Sequence, residues 1–354
     1  MNSTVVLILH GRHNFTERWV GHFLFYNPNI ELIIADGSLD SRQKEQFAIS
    51  IPRAKYVHLG PDTSVTKYLE KIVHVLGEVK TDYVMFMAND DFVFYDSIFD
   101  LEKFLNTNTE YVSVLGMVFD ISLNDYHHFN SAFFRNIQNH QVQMSLEADS
   151  PGQRAKVQIS HPSAGWHSLV RTSVVLQVYK IILQSEVRNF ELTGYFADLL
   201  LGCYGKVKYE TQFVSMLHEI HGDQEAYNLI PYETRIQDQK WLKEVQELFD
   251  VVSQQVESNS DSEFSSRDLL REYFKWEESR MPKNNPSPVV VFFRKCYEKI
   301  KFEIEKLFPR YVNLPTNFPL ESIEGIRQLE LFLSSYYSEV LNLNENPMPP
   351  PGYQ

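Results

Sequence analysis

Short apolar runs near the start of the chain alternate with segments whose apolar residues recur at helical spacing. Residues 4–10 read as a buried strand, and polar Gly11-Arg12-His13-Asn14 separates it from a helix over about 16–26. A second strand, 30–35, stops at Asp36-Gly37-Ser38, and a third covers 54–59. Residues 64–78 place Val65, Tyr68, Leu69, Ile72, Val73 and Leu76 on one helical face. A fourth strand, 83–88, runs into Asn89-Asp90-Asp91. Continuous apolar strands alternating with amphipathic helices predict an α/β fold with a mostly parallel sheet flanked by helices. Such sheets bind ligands beyond the carboxyl ends of their strands, where three polar clusters fall here.

The later pattern is less regular. Residues 111–119 read as a strand, and the polar stretch 120–158, with His127, His128 and His140, reads as an insertion. A turn and short strand follow over 161–171, then a helix at 191–204 and a strand at 207–217. That last strand delivers His218, Glu219, His221, Gly222 and Asp223. Beyond residue 228 charged helical segments dominate, at about 234–256, 266–280, 288–308 and 321–342. Breaks occur at the polar run 258–262 and at Asn284-Asn285-Pro286-Ser287-Pro288. The chain therefore divides into an α/β domain, 1–227, and a helical C-terminal region, 228–354.

Composition narrows the class. A net charge of -13 disfavours a nucleic-acid binder. Two cysteines in 354 residues argue against a disulfide framework and fit a reducing, cytoplasmic setting. The apolar run Val5-Val6-Leu7-Ile8-Leu9 is too short for a signal sequence, and no stretch has the length of a membrane span.

The acidic triplet carries the strongest chemical signal. Adjacent carboxylates repel unless a cation or hydrogen-bond donors compensate. Mg²⁺ commonly takes one or two carboxylates plus substrate phosphates. The structural alternative is a capped turn. In the first polar loop, Gly11 lets backbone approach a ligand, and Arg12 is either a phosphate partner or a solvated side chain. Arg18 and Lys67 are more distant phosphate candidates, and His10 and His13 border the same loop.

The order of these elements resembles the GT-A glycosyltransferases, near the family 2 type of bacterial polysaccharide enzymes. The match covers roughly residues 3–225: strand, polar loop, strand ending Asp36-Gly37-Ser38, helix, then strand ending in an Asp-x-Asp-like triplet. The resemblance implies a Rossmann-like GT-A fold. It places Asp36 on the nucleotide base, Asn89 or Asp90 on ribose or metal-bound water, and Asp91 on a divalent ion, Mn²⁺ or Mg²⁺. Asn89 departs from the usual Asp. The family's late histidine ligand corresponds to His221, with His218 as the alternative. Its catalytic base sits at a helix start, which gives Glu191, with Asp198 of the same helix in reserve; the usual Glu-Asp pair is absent. Trp166 is either a sugar-stacking or a core aromatic, and His161 and His167 are candidate contacts to donor or acceptor.

The implied reaction moves a sugar from a UDP-, GDP- or CDP-linked donor to a glycan or lipid-linked acceptor, in surface polysaccharide synthesis. The alternatives are a catalytically silent nucleotide-sugar-binding assembly protein and a nucleotidyltransferase. The C-terminal helices are expected to serve acceptor binding, homo-oligomer formation or contact with the inner membrane face. The basic aromatic stretch from Val289 to Arg310 carries the last option, while its apolar spacing fits packing against the protein equally.

Overall fold

A computed structural model describes residues 2–39, 47, 50–123, 134–139, 144–162, 165–219, 235, 237–258, 265–280 and 323–342. Its centre is a sheet in the order β3-β2-β1-β4-β8-β6-β9-β5, with β7 paired to β6. The strands are β1 Ser3–Leu9, β2 Glu31–Asp36, β3 Lys55–His58, β4 Tyr83–Met87, β5 Asp91–Val93, β6 Tyr111–Leu123, β7 Phe134–Asn139, β8 Leu169–Arg171 and β9 Lys206–Glu219. β1 to β4, β6 and β9 share one direction; β5, β7 and β8 run against it. This is the mostly parallel sheet that the hydropathy pattern implies.

Both faces of β1 are covered, which explains its unbroken apolar run. Val5, Leu7 and Leu9 pack beneath α1 (His13–Tyr26) and α3 (Tyr95–Thr107). Val6 faces α2 (Val65–Glu78), α5 (Thr172–Gln184) and α6 (Phe190–Tyr204). Local signals start these helices: Ser64 accepts from Lys67 N–H to cap α2, and Asn189 accepts from Leu192 N–H to cap α6.

Two features correct the sequence expectation. The stretch 120–158 is not a plain insertion, because β6 continues to Leu123, β7 pairs back on it, and Pro151–Ser160 forms helix α4. Ser150 caps α4 by accepting from Gln153 N–H, and Pro151 occupies its first turn. The acidic triplet does not end in a loop; Asp91 opens β5, which pairs antiparallel with β9.

The C-terminal helices share the cores of the sheet. α7 (Gln239–Ser258) and α8 (Ser266–Arg280) contribute Trp241, Val245, Phe249 and Tyr273 to the cluster that holds Leu69 and Phe196. α9 (Ile323–Asn342) lays Ile326, Leu329, Phe332 and Leu333 on Phe92, Phe94 and Phe119. Residues 288–308, expected to be helical, lie outside the described residues. Among the described residues no helix is long and apolar enough to cross a membrane.

Candidate active site

The loop after β1 is pinned from three sides. Gly11 and Arg12 both take left-handed backbone angles, φ 71° and 56°. For Arg12 this conformation costs about 1–2 kcal/mol unless its surroundings enforce it. The Asn89 amide enforces it, donating to Gly11 O at 3.4 Å, Arg12 O at 3.2 Å and Thr16 Oγ1 at 3.0 Å. Gly11 N–H donates to Ser38 Oγ at 2.9 Å, and Arg12 Nη1 donates to Asp90 Oδ2 at 2.7 Å. The loop thereby joins the ends of β2 and β4. Two of the three Asn89 partners are carbonyls that can only accept, so the nitrogen must face them. A carboxylate there would meet two carbonyl oxygens. That is the physical reason for Asn at a position where the family pattern has Asp.

Asp91 is buried at the first residue of β5. Its Oδ2 accepts from Ala88 N–H at 2.8 Å, and its Oδ1 lies 2.9 Å from His218 Nδ1. His167 Nδ1 stands 3.7 Å from Asp91 Oδ2. These three residues offer ligand atoms within 4.8 Å of one another. Ligands on one ion with bonds of about 2.1 Å can lie up to ~4.2 Å apart, so one carboxylate oxygen and two imidazole nitrogens fit a divalent ion with small side-chain adjustment. The strand register sets Asp91, His218 and Asp120 abreast on β5, β9 and β6. Burial works against a charged His218. The hydrogen bond to Asp91 and the fields of Asp91, Asp90 and Asp120 outweigh it and raise the imidazole to about 9.

The Asp36 turn is also engaged internally. Asp36 Oδ1 accepts from Ser38 N–H at 2.8 Å, and Oδ2 accepts from the Tyr56 hydroxyl. Beneath the turn, Asp62 N–H donates to Gly37 O at 2.9 Å. Lys71 Nζ donates to Asp62 Oδ2 at 2.5 Å and to Leu9 O at 3.4 Å. Burial pulls Lys71 below its ordinary value, and Asp62 opposes that pull. His10 is exposed, with Nδ1 4.0 Å from Asp62 Oδ2. Lys67 pairs with Glu70 on the exposed side of α2 at 2.7 Å.

The remaining expected residues fall as follows. Glu191 stands in the first turn of α6 and accepts from Arg235 Nη2. Asp198, two turns further on, accepts from Gly165 N–H at 2.8 Å. Trp166 stacks on Phe86, ring centroids 5.0 Å apart, at the border of the core. His221 lies outside the described residues; among those described, His218 and His167 meet Asp91. In sequence His167 is a candidate contact to donor or acceptor and not a metal ligand, and Asp120 is not singled out. Nor is Lys71, although it shares a helical stripe with Tyr68 and Val75, and a lysine on an apolar stripe is itself a signal.

Solved structures share this architecture. The crystal structure of S. aureus TarS 1-349 matches with a TM-score of 0.52 at 10% identity, over 80% of this chain and 74% of that one. S. aureus TarS 1-349 in complex with UDP-GlcNAc gives 0.50 at 12% identity, over 79% and 73%. At these identities the likeness is one of fold, the Rossmann-like GT-A type. No protein-family model matches the chain, and no curated protein matches it in sequence.

Two predictions follow from the geometry. Asn89→Asp should lower stability by about 1–3 kcal/mol in urea unfolding, because it sets a carboxylate against two carbonyls. An unchanged midpoint would remove the clasp from the account. Burial pushes the Asp198 carboxyl up to about 8, against the opposing Gly165 N–H. The folded chain thus holds this proton more tightly than the unfolded chain. The associated stability is complete below the ordinary value of 3.8 and is lost as pH rises to about 8. Asp198→Asn does not titrate, so wild-type Tm should fall relative to this variant between pH 5 and 8.5; parallel profiles would contradict the assignment.

Proposed function

We propose that the chain is a metal-dependent glycosyltransferase that takes its sugar from a nucleotide-sugar donor. The observation that carries this reading is the convergence of Asp91, His167 and His218 at the carboxyl edge of the sheet, beside the loop pinned by Asn89 and Arg12. A UDP-GlcNAc complex of a protein with the same fold supports the donor class. In this reading Asp36 faces the base, Asn89 and Asp90 border the ribose and diphosphate, and Arg12 exchanges its Asp90 contact for a phosphate. In the same reading Gly11, His10 and Trp166 border the donor, and Lys67 is a more distant phosphate partner that would leave Glu70 to reach it. A divalent ion held by Asp91 would neutralise the departing diphosphate. Two imidazoles in three ligands suit Mn²⁺ better than Mg²⁺, which prefers oxygen. His221 belongs to the same region as a further ligand. The acceptor is a glycan or lipid-linked glycan, in surface polysaccharide synthesis at the cytoplasmic membrane face. The region from 228 onward is assigned to acceptor binding or self-association.

Glu191 is proposed as the base that removes the acceptor's hydroxyl proton. Its ion pair with Arg235 must open for that step. The same ion pair favours a second reading, a silent nucleotide-sugar binder whose carboxylate serves structure.

Calorimetric titration with UDP, GDP and CDP, with and without Mn²⁺, tests the site. One nucleotide should bind in a Mn²⁺-dependent manner, and Asp91→Ala should abolish that dependence. Nucleotide binding indifferent to Mn²⁺ in the wild type would overturn the reading. Glu191→Gln separates the two roles: it should keep donor binding and lower turnover by about 10²–10⁴-fold. Wild-type turnover in that variant would remove Glu191 as base, and a wild type without donor hydrolysis or transfer would favour the silent binder.

A further inference from the structure

His167 reaches Asp91 from a turn, whereas Asp91 and His218 sit on paired strands. A turn needs outside support to hold a ligand atom to the tolerance of a metal bond, about 0.2 Å. Inside the turn, Ser168 N–H donates to Gly165 O at 3.0 Å, and Ser168 Oγ donates to the same carbonyl. Ser113 Oγ and Ser168 Oγ share a hydrogen bond of 2.8 Å, which fixes the exit to β6. At the entry, Gly165 N–H donates to Asp198 Oδ1 at 2.8 Å, and the next residue, Trp166, stacks on Phe86 of β4.

Asp198 is well suited to that contact. Its neighbours Ala197, Leu199, Leu200 and Leu201 on α6 are buried, so the helix cannot shift without opening the core. A Cβ on Gly165 would lie 2.5 Å from Asp198 Oδ1, so a side chain at 165 is excluded while this contact exists. The carboxyl faces a cavity of about 20 Å³ lined by Ser113, Gln158 and Ser168, and none of Asp91, His167 and His218 lines it. Asp198 therefore meets the turn from a cavity that the three candidate ligands do not line.

We propose that Asp198 is a positioning residue for the metal centre: it sets the Gly165–Ser168 turn so that His167 meets Asp91. The assignment rests on the reading of Asp91, His167 and His218 as ligands, and it replaces the reserve-base role suggested by position in sequence. Groups that orient a metal ligand typically change metal affinity by about 10–100-fold when removed.

The test is calorimetric titration with Mn²⁺ and Co²⁺, with the Co²⁺ absorption spectrum recorded alongside. Asp198→Ala should bind either ion about 10–100-fold more weakly than wild type, with a shifted Co²⁺ band that reports loss of a nitrogen ligand. Asp198→Asn keeps an acceptor for Gly165 N–H and should bind within about threefold of wild type. In the background of His167→Ala, adding Asp198→Ala should weaken binding no further. Should Asp198→Ala fail to fold, Gly165→Ala displaces the turn with α6 intact and should give the same loss. Wild type that binds neither ion overturns the metal reading and this inference with it. Wild type that binds while Asp198→Ala or Gly165→Ala binds equally well overturns the positioning role alone. Additive losses in the double variant also overturn it.

Discussion

Two neighbouring carboxylates at a nearly dry sheet edge are the constraint around which this end of the molecule is organised. Asp90 and Asp91 are both buried, and an uncompensated buried charge costs several kcal/mol. The chain separates their compensation. Asp90 turns to Arg12, and Asp91 turns to the Ala88 amide, His218 and His167. Neutral Asn89 between them adds no third charge and uses its amide to hold Arg12 in reach. The left-handed backbone of the first loop, the short β5 strand and its pairing with β9 all serve this division.

Much of this was legible in the order of residues. Buried parallel strands are continuous apolar runs, so β1, β2 and β4 and the polar clusters at their ends stand out. That route singles out Asp36, Asn89, Asp90 and Asp91 as candidates. It leaves His218 and His221 as alternatives beside Asp91, because choosing between them needs the β5–β9 register, a pairing across 127 residues. His167 comes from a turn whose height depends on α6, and no local period encodes that. The Lys71–Asp62 pair was hidden for a related reason: a charge on an apolar stripe makes sense only when its partner comes from another loop. Asn89 stands in sequence only as a departure from the usual Asp, and its bonds to the first loop show what the amide does there.

The C-terminal helices, which the sequence sets apart by composition, are built into the packing. α7 and α8 complete the hydrophobic layer on one face of the sheet, and α9 covers the phenylalanines that follow Asp91. The division at residue 228 marks a change of composition, while apolar burial runs across it. The helices therefore act on the site through its foundation, whatever surface they present to an acceptor or a second copy.

The sharing of cores has a consequence for synthesis on the ribosome. β9 lies between β6 and β5, so the row that carries Asp91 cannot close before residue 219 has emerged. The layer over α6 waits for residues up to Tyr273. Such long-range pairing is slow to form and leaves apolar strands exposed meanwhile. The nascent chain would thus carry Val5–Leu9 and Tyr83–Met87 without their final cover until those later residues have emerged, so this protein is expected to depend on chaperones during its synthesis.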